Sequence, residues 1–299
     1  MKTSMFFLSF FVLLFISCST ANKSKEPVKS FAEVNGTKLY YEVHGSGEPI
    51  IFVHGNFGDV RHWEFQVEPF SQNYKVVRYD VRGYGKSAVP DSAIAYRDYD
   101  DLRALMDYLK IEKAHICGWS MGSGIAIDFA LAYPDRVISL IAMGPWPNGY
   151  GGGKYSSVAT DSMFTIFGKV FSLISSEGPK SATDYWWAGD HEIKTTVVKP
   201  RTLDSLLRIG YEYSWWGFLN PSKRDWYSPP AVEVLSTIYT PTLIVSAQHD
   251  IQACKEAAEL MRSQIHNSQL VSIENAGHGM HMDNPEEFNR IIVDFISSL

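Results

Sequence analysis

The alternation of short apolar runs with amphipathic stretches is the feature that most constrains the fold of this 299-residue chain. The apolar runs have the length of buried strands, and the stretches between them carry apolar residues at helical spacing, as in residues 99–109. Helices that connect successive strands place those strands parallel in one sheet, with right-handed crossovers. The sequence therefore predicts an α/β fold with a mainly parallel sheet and flanking helices.

The individual elements follow from this alternation. The predicted strands are residues 31–34, 38–43, 50–53, 74–79, 114–117, 137–143, 241–247 and 269–273, and the predicted helices are 60–70, 99–109, 121–133, 255–265 and 285–296. Asn35-Gly36 separates the first two strands. This dipeptide favours a tight hairpin turn, so we expect these two strands to pair antiparallel.

Residues 144–237 interrupt the alternation and contain six of the eight tryptophans: Trp146, Trp186, Trp187, Trp215, Trp216 and Trp226. We expect this segment to be an inserted, mostly helical cap, with residues 31–143 and 238–299 forming the α/β core. The tryptophans either line a pocket or hold a small subdomain together, and the sequence leaves both interpretations open.

The N-terminus carries a targeting segment. Lys2 precedes an apolar run of 13 residues, Met5–Ser17, which is too short for a good membrane span and is typical of a signal peptide. The run ends at Cys18 and resembles a bacterial lipoprotein signal, in which that cysteine is lipidated and anchors the exported protein to a membrane. We therefore expect a signal peptide over residues 1–17, a polar tether over 18–30 and a location in the bacterial cell envelope. Plain secretion remains the alternative.

Charge and cysteine content narrow the possible partners. The formal net charge is −6, so the chain lacks the basic field that holds nucleic acid. Three cysteines without CxxC or histidine-rich metal spacing predict neither a disulfide framework nor a metal site. We expect Cys117 and Cys254 to be buried thiols, and we expect no cofactor.

The motif Gly118-Trp119-Ser120-Met121-Gly122 lies between a predicted strand and a predicted helix. A tight turn at such a junction exposes the serine oxygen, and its flanking glycines are needed because larger side chains would clash. The pattern predicts that Ser120 is a nucleophile.

A serine nucleophile needs a base that is oriented by an acid. Asp250 and His278 each follow one of the last two predicted strands, and the C-terminal ends of parallel strands meet at one edge of the sheet. We therefore predict a triad of Ser120, His278 and Asp250. His249 and His281 are the competing histidines, expected at the surface and on the approach to the last helix.

The oxyanion that forms in acyl transfer needs two backbone N–H donors. Met121, next to the nucleophile, is one candidate, and the turn after strand 50–53 supplies the other. Asn56 is the first choice in that turn and Phe57 the reserve, whereas His54 is expected to have a structural role. The predicted substrate-binding residues are Phe57, Trp119, Trp186, Trp187, Trp215 and Trp216.

Five motifs occur in the order seen in a known superfamily: His54-Gly55, Asp80–Ser87, Gly118–Gly122, Asp250 and Gly277-His278. From residue 31 to residue 299 the chain resembles the capped, serine-nucleophile branch of the α/β-hydrolase superfamily. The resemblance implies an eight-stranded sheet, a lid inserted after the sixth strand and a structural role for Asp80–Ser87. Serine at position 120 argues against the branches that use aspartate there.

Together these observations predict a serine hydrolase that acts through an acyl-enzyme on a small apolar carboxylic ester or related acyl substrate. The same triad also serves C–C bond hydrolysis, aminopeptidase-like amide hydrolysis, lactone opening and acyl transfer. A ligand-binding module with little turnover is the alternative from another class of protein.

Overall fold

An eight-stranded sheet forms the centre of the structure, a computed structural model that describes residues 26–91, 94–191 and 199–299. The strands are β1 (Val28–Val34), β2 (Thr37–His44), β3 (Glu48–Val53), β4 (Tyr74–Tyr79), β5 (Ala114–Trp119), β6 (Val137–Met143), β7 (Thr242–His249) and β8 (Ser268–Gly277). Their spatial order is β1-β2-β4-β3-β5-β6-β7-β8. Strand β2 pairs antiparallel with β1 and β4, and the remaining neighbours pair parallel. The predicted α/β fold with a mainly parallel sheet is confirmed.

The helices that flank the sheet lie close to their predicted positions. They are α1 (Glu64–Ser71), α2 (Asp98–Tyr108), α3 (Met121–Ala132), α9 (Gln252–Gln264), α10 (Met280–Asp283) and α11 (Pro285–Ser297). The predicted helix over 60–70 is divided into a 3₁₀ turn, Val60–Trp63, followed by α1. Helices on both faces leave β5 buried along its whole length, as expected for a central parallel strand.

The hairpin between β1 and β2 has the predicted turn. Asn35 and Gly36 both have positive φ, 47° and 69°, and Val34 pairs with Thr37. However, β1 begins at Val28, so the prediction of a tether up to residue 30 is wrong at its C-terminal end. The polar residues of 28–30 occur there because β1 is an edge strand that faces solvent on one side. The predicted signal peptide and Cys18 lie outside the described residues.

Helices fill the described part of the interval between β6 and β7. They are α4 (Val158–Ser176), α5 (Pro179–Ala188), α6 (Pro200–Glu212), α7 (Trp216–Leu219) and α8 (Ala231–Val234). The segment that returns from this cap to the core is fixed by its backbone: the N–H of Asp225 donates to the carbonyl of Tyr96 at 2.7 Å. The N–H of Tyr227 donates to the carboxylate of Asp128 on α3 at 3.1 Å. The N–H of Tyr96 donates in turn to the carbonyl of Lys223 at 3.0 Å, so the cap is attached to the core by main-chain contacts on either side of Arg224.

The loop Asp80–Ser87, which follows β4, has structural contacts. Asp80 accepts hydrogen bonds from the backbone N–H groups of Val60, at 2.9 Å, and Lys86, at 2.7 Å. Burial raises the pKa of Asp80 to about 7. Gly85 has φ +50°, and a Cβ atom there would lie 2.2 Å from the Asp80 carboxylate. The loop thus closes around a buried carboxylate.

Asp128 makes the stability of the fold depend on pH. Burial raises its pKa to about 7, against about 3.9 in an unfolded chain, so the folded state holds the proton more tightly. This carboxyl therefore favours folding most at low pH, and it loses that effect, on the order of 1 kcal/mol, as the pH rises from 6 to 8. Asp128→Asn removes the titration, so the variant should become more stable relative to the wild type, by on the order of 1 kcal/mol in the free energy of unfolding, as the pH rises over the same interval. Urea unfolding of both proteins at pH 6 and pH 8 measures the difference, and an equal difference at the two pH values would contradict the assignment.

Candidate active site

The backbone at Ser120 is strained where β5 turns into α3. Ser120 has φ 53° and ψ −114°, a conformation that costs a residue with a side chain about 1–3 kcal/mol. A Cβ atom on Gly118 would lie 2.1 Å from the carbonyl oxygen of Gly122, and one on Gly122 would lie 2.2 Å from that of Val53. Only glycine fits at these two positions, so the motif fixes the turn that presents the Ser120 hydroxyl.

His278 and Asp250 form a buried pair at the same edge of the sheet. The Nδ1 atom of His278 lies 2.7 Å from Oδ1 of Asp250, and the two residues are 3% and 6% exposed. Asp250 Oδ1 also accepts the N–H of Ile251 at 2.8 Å. An ionised carboxylate only accepts hydrogen bonds, so Nδ1 of His278 is the donor and Nε2 of the neutral ring is left as the acceptor.

Ser120 and His278 both line a cavity of about 220 Å³. Of the residues predicted to act in catalysis or to bind substrate, the cavity wall also contains Asn56, Phe57, Trp119, Met121, Trp186 and Trp187. Asp250 lies behind His278, outside that wall. The structure thus brings the predicted nucleophile and base together in one cavity, with the acid held against the base.

Trp215 and Trp216 are not among the residues that line the cavity, so the structure gives no support to the prediction that they bind substrate. Trp215 is 1% exposed and packs against the ring of Phe57, with 4.8 Å between ring centroids. Trp216 is the first residue of α7, and the centroid of its ring is 6.3 Å from that of Tyr96. Both side chains therefore have packing contacts with other rings.

Several cavity residues were absent from the predicted set: Trp146, Met163, Phe164, Phe167, Arg224, Trp226, Ile251 and Cys254. Trp146 follows β6 and could have been found by the rule that strand ends meet at one edge. Arg224 carries no local signal, because a single arginine in a loop is usually solvated.

The two first-choice oxyanion donors, Asn56 and Met121, both line the cavity. Met121 is the first residue of α3, and the first N–H groups of a helix have no intrahelical acceptor. The N–H of Phe57 donates to the side-chain oxygen of Asn56 at 3.1 Å, so the reserve candidate is already engaged. That Asn56 oxygen also accepts the Tyr84 hydroxyl at 2.7 Å. These contacts favour the backbone N–H of Asn56 over that of Phe57.

Trp119 joins the loop of Ser120 to the loop of His278. Its indole N–H donates to the carbonyl of His278 at 2.8 Å, which ties the residue before the nucleophile to the residue proposed as the base. The ring is 1% exposed and packs against the rings of His62, at 4.7 Å, and His281, at 4.8 Å. Trp119 therefore borders the cavity mainly as a support for its floor.

The remaining histidines have separate roles. His54 accepts the N–H of Val81 through Nε2 at 3.0 Å and contacts the Gly55 carbonyl through Nδ1, and burial lowers its pKa to about 4. His281 lies in α10, directly before the last helix, where burial lowers its pKa to about 3. His249 is exposed at the end of β7. None of the three lines the cavity.

Asp250, Cys254 and His278 could together hold a metal ion, since one ligand atom of each lies within 4.8 Å of the others. Structural zinc sites use four such ligands and catalytic sites three. Here the 2.7 Å contact between Asp250 and His278 already occupies both groups, and a metal would have to replace it. The absence of a metal therefore stays a prediction.

The chain is similar to known hydrolases in both sequence and structure. The model of the alpha/beta hydrolase family matches residues 50–291. The chain is 27% identical to 2-hydroxy-6-oxononadienedioate/2-hydroxy-6-oxononatrienedioate hydrolase 2 of Pseudomonas putida, over 93% of this chain and 99% of that protein. Two solved structures share the fold: an enol-lactonase from Burkholderia xenovorans (TM-score 0.72, 22% identity, 89% and 99% of the two chains) and a thermophilic esterase from Thermogutta terrifontis (TM-score 0.72, 24% identity, 92% and 99%).

Trp186 and Trp187 line the cavity and Trp216 does not, so their substitution by alanine should affect activity differently. Trp186→Ala and Trp187→Ala should change kcat/KM for a long-chain ester by about 10- to 100-fold relative to a short one, because these rings line the cavity. Trp216→Ala, outside the cavity, is the matched control and should leave the long-to-short ratio unchanged. Kinetics on 4-nitrophenyl acetate and octanoate, with thermal melts alongside, give the answer. Uniform losses that follow the melting temperature would make Trp186 and Trp187 packing residues as well.

Proposed function

The chain belongs to the alpha/beta hydrolase family, and we propose that it is a serine hydrolase that cleaves a small, largely apolar carboxylic ester or related acyl substrate. The observation that carries the proposal is the position of Ser120: it lies on a strained turn in the same cavity as His278, which is hydrogen-bonded to Asp250. Membership in the family supports hydrolysis in general. The arrangement of Ser120, His278 and Asp250 is the basis of the mechanism that we propose for that hydrolysis.

In the proposed mechanism the same groups act in both half-reactions, formation of the acyl-enzyme and its hydrolysis. Ser120 Oγ attacks the acyl carbonyl, while Nε2 of His278 takes the hydroxyl proton and passes it to the leaving alcohol. A water molecule, deprotonated by the same nitrogen, then attacks the acyl carbonyl; the acyl–Oγ bond breaks, the carboxylic acid leaves, and His278 returns the proton to Ser120 Oγ. Asp250 keeps the imidazole in the required tautomer and stabilises the imidazolium. The N–H groups of Asn56 and Met121 stabilise the oxyanion in both steps.

The cavity wall favours apolar substrates. Aromatic rings from both the core and the cap surround it, among them Phe57, Trp146, Phe164 and Trp186. A volume of about 220 Å³ suits a small acyl or aryl group. An aromatic wall excludes water from the cavity, which strengthens the electrostatic interactions between the groups that line it.

A C–C bond hydrolase is the second candidate. The Pseudomonas putida relative, a hydrolase of a 2-hydroxy-6-oxo dienedioate, matches almost the whole chain and favours this alternative over the others. Ester and C–C hydrolysis use the same triad, so turnover of a β-diketone-like substrate, compared with a matched ester, separates them. Amide hydrolysis, lactone opening and acyl transfer are distinguished in the same way by substrate, and a ligand-binding module by lack of turnover.

The proposed triad predicts non-additive losses of activity. Ser120→Ala and His278→Ala should each lower kcat by about 10⁴- to 10⁶-fold, because the two side chains act as a unit. The double variant should be scarcely slower than either single one. Steady-state kinetics of the three variants, with circular dichroism as a check of folding, measure this. Near wild-type turnover by folded Ser120→Ala would eliminate the mechanism.

We further propose that the protein is exported and anchored to a membrane through a lipid on Cys18. The support is the sequence alone: the apolar run Met5–Ser17 ends at this cysteine, and the lysine-rich residues that follow are polar. Several acyl chains on one cysteine anchor stably, whereas a single chain binds only marginally.

Substitution of the proposed anchor should change the location of the protein. Cys18→Ser should release the hydrolase from the membrane fraction or leave an uncleaved precursor, and its specific activity should equal that of the wild type. Cell fractionation and mass spectrometry of the mature N-terminus give the result. A wild-type N-terminus without lipid that starts at another residue would refute the anchor.

A further inference from the structure

Arg224 is a charged residue in an otherwise aromatic cavity. It lies in the segment that returns from the cap to the core, where its backbone pairs with Tyr96, and its side chain is only 9% exposed. Among the described residues that line the cavity, it is the only lysine, arginine, aspartate or glutamate. A buried cation is costly unless its donors are used, so its contacts indicate what the site can bind.

The guanidinium has one carboxylate partner, Asp98, and a further polar contact with the side chain of Tyr84. Its Nε lies 2.5 Å from the carboxylate of Asp98. Its Nη1 has the thioether sulfur of Met121 at 3.5 Å, which is a weak acceptor, and its Nη2 has no hydrogen-bond partner among the described residues. The rings of Tyr84 and Trp226 lie 5.8 Å and 5.3 Å from the guanidinium carbon and support its plane.

A second buried arginine shows what a purely structural pair looks like in this chain. Arg82 donates through Nε and Nη2 to both oxygens of Asp101, at 2.7 and 2.5 Å, and through Nη2 also to the carbonyl of Asn35 at 2.9 Å. Its side chain is 8% exposed, and it does not line the cavity. Arg224 has the same burial and a carboxylate partner, but that partner contacts Nε alone, and Nη2 has no hydrogen-bond partner among the described residues although the side chain of Tyr84 is a further polar contact of the guanidinium.

We infer that Arg224 binds a carboxylate that the substrate carries in addition to its scissile acyl group. The inference rests on the proposed function, since it assigns the substrate class of the same cavity. A planar guanidinium presents parallel N–H donors that match the two oxygens of a carboxylate. Asp98 and the two rings orient those donors in advance, which lowers the entropic cost of binding. Because Arg224 Nη1 contacts the side chain of Met121, next to Ser120, the second carboxylate lies near the reacting group.

A pair of substrates that differ only in charge tests the inference. Mono-4-nitrophenyl adipate carries a free carboxylate, and methyl 4-nitrophenyl adipate masks it. The wild type should prefer the acid in kcat/KM, mainly through KM. Arg224→Gln should lower the acid-to-ester ratio by about 10- to 100-fold, and Arg224→Lys should lower it less. Arg82→Gln, which removes an equally buried arginine outside the cavity, should keep the wild-type ratio.

Three results decide against the inference. The first is an acid-to-ester ratio that is the same in wild type and Arg224→Gln. The second is a wild type that favours the methyl ester. The third is an equal loss on both substrates in Arg224→Gln and Arg82→Gln that follows a lower melting temperature, which would make Arg224 a structural ion pair. If the wild type hydrolyses neither ester, the proposed function fails first; if it hydrolyses both without preference, only the role of Arg224 fails.

A measurement on the wild type covers the case in which Arg224→Gln does not fold. Inhibition of methyl 4-nitrophenyl adipate hydrolysis by phenylacetate is compared with inhibition by phenylacetamide at constant ionic strength. The inhibition constant of the acid should be at least about tenfold lower, because only the acid is a charged partner for the guanidinium. Equal inhibition by the two compounds would overturn the inference.

Discussion

The close approach of backbone to backbone at the start of α3 is the constraint on which the site depends. Gly118 and Gly122 leave no room for a Cβ atom, so the first turn of α3 packs directly against the end of β3. That contact brings Met121 next to the loop of Asn56, and it holds Ser120 at positive φ although this costs about 1–3 kcal/mol. The strain persists because β5 and α3 are both buried and leave the turn no other conformation.

The second half of the site is assembled by hydrogen bonds between loops that are distant in sequence. Trp119 donates to the carbonyl of His278, and Asp250 accepts from both His278 and the backbone that follows it. The cap is attached to the same region through the chain around Arg224, whose backbone pairs with Tyr96 and whose guanidinium contacts Asp98. Ser120, His278 and the cavity wall therefore share structural contacts, and loss of one of these contacts should displace the others.

The elements that local pattern specifies could be predicted, and those that depend on packing could not. Apolar runs and Asn35-Gly36 specify the strands and the hairpin, and the rule that parallel strand ends meet at one edge places Ser120, Asp250 and His278 together. The start of β1 was missed because an edge strand needs few apolar residues. Trp186 and Trp187 line the cavity whereas Trp215 and Trp216 do not, because side-chain direction depends on how the cap helices pack. Arg224 could not be identified as a cavity residue from the sequence, because its burial and the unpartnered Nη2 of its guanidinium are features of the folded structure.

We propose that His278 and Asp250 activate Ser120 as a nucleophile. The most direct test of this activation is covalent labelling of the native protein with a fluorophosphonate, followed by peptide mapping, since the reagent phosphonylates an activated serine. We predict one adduct per chain, on the peptide that contains Ser120, with loss of ester hydrolysis in proportion to labelling. Complete loss of hydrolysis with the adduct on another residue, or an unlabelled Ser120 in an enzyme that turns over, would contradict the account.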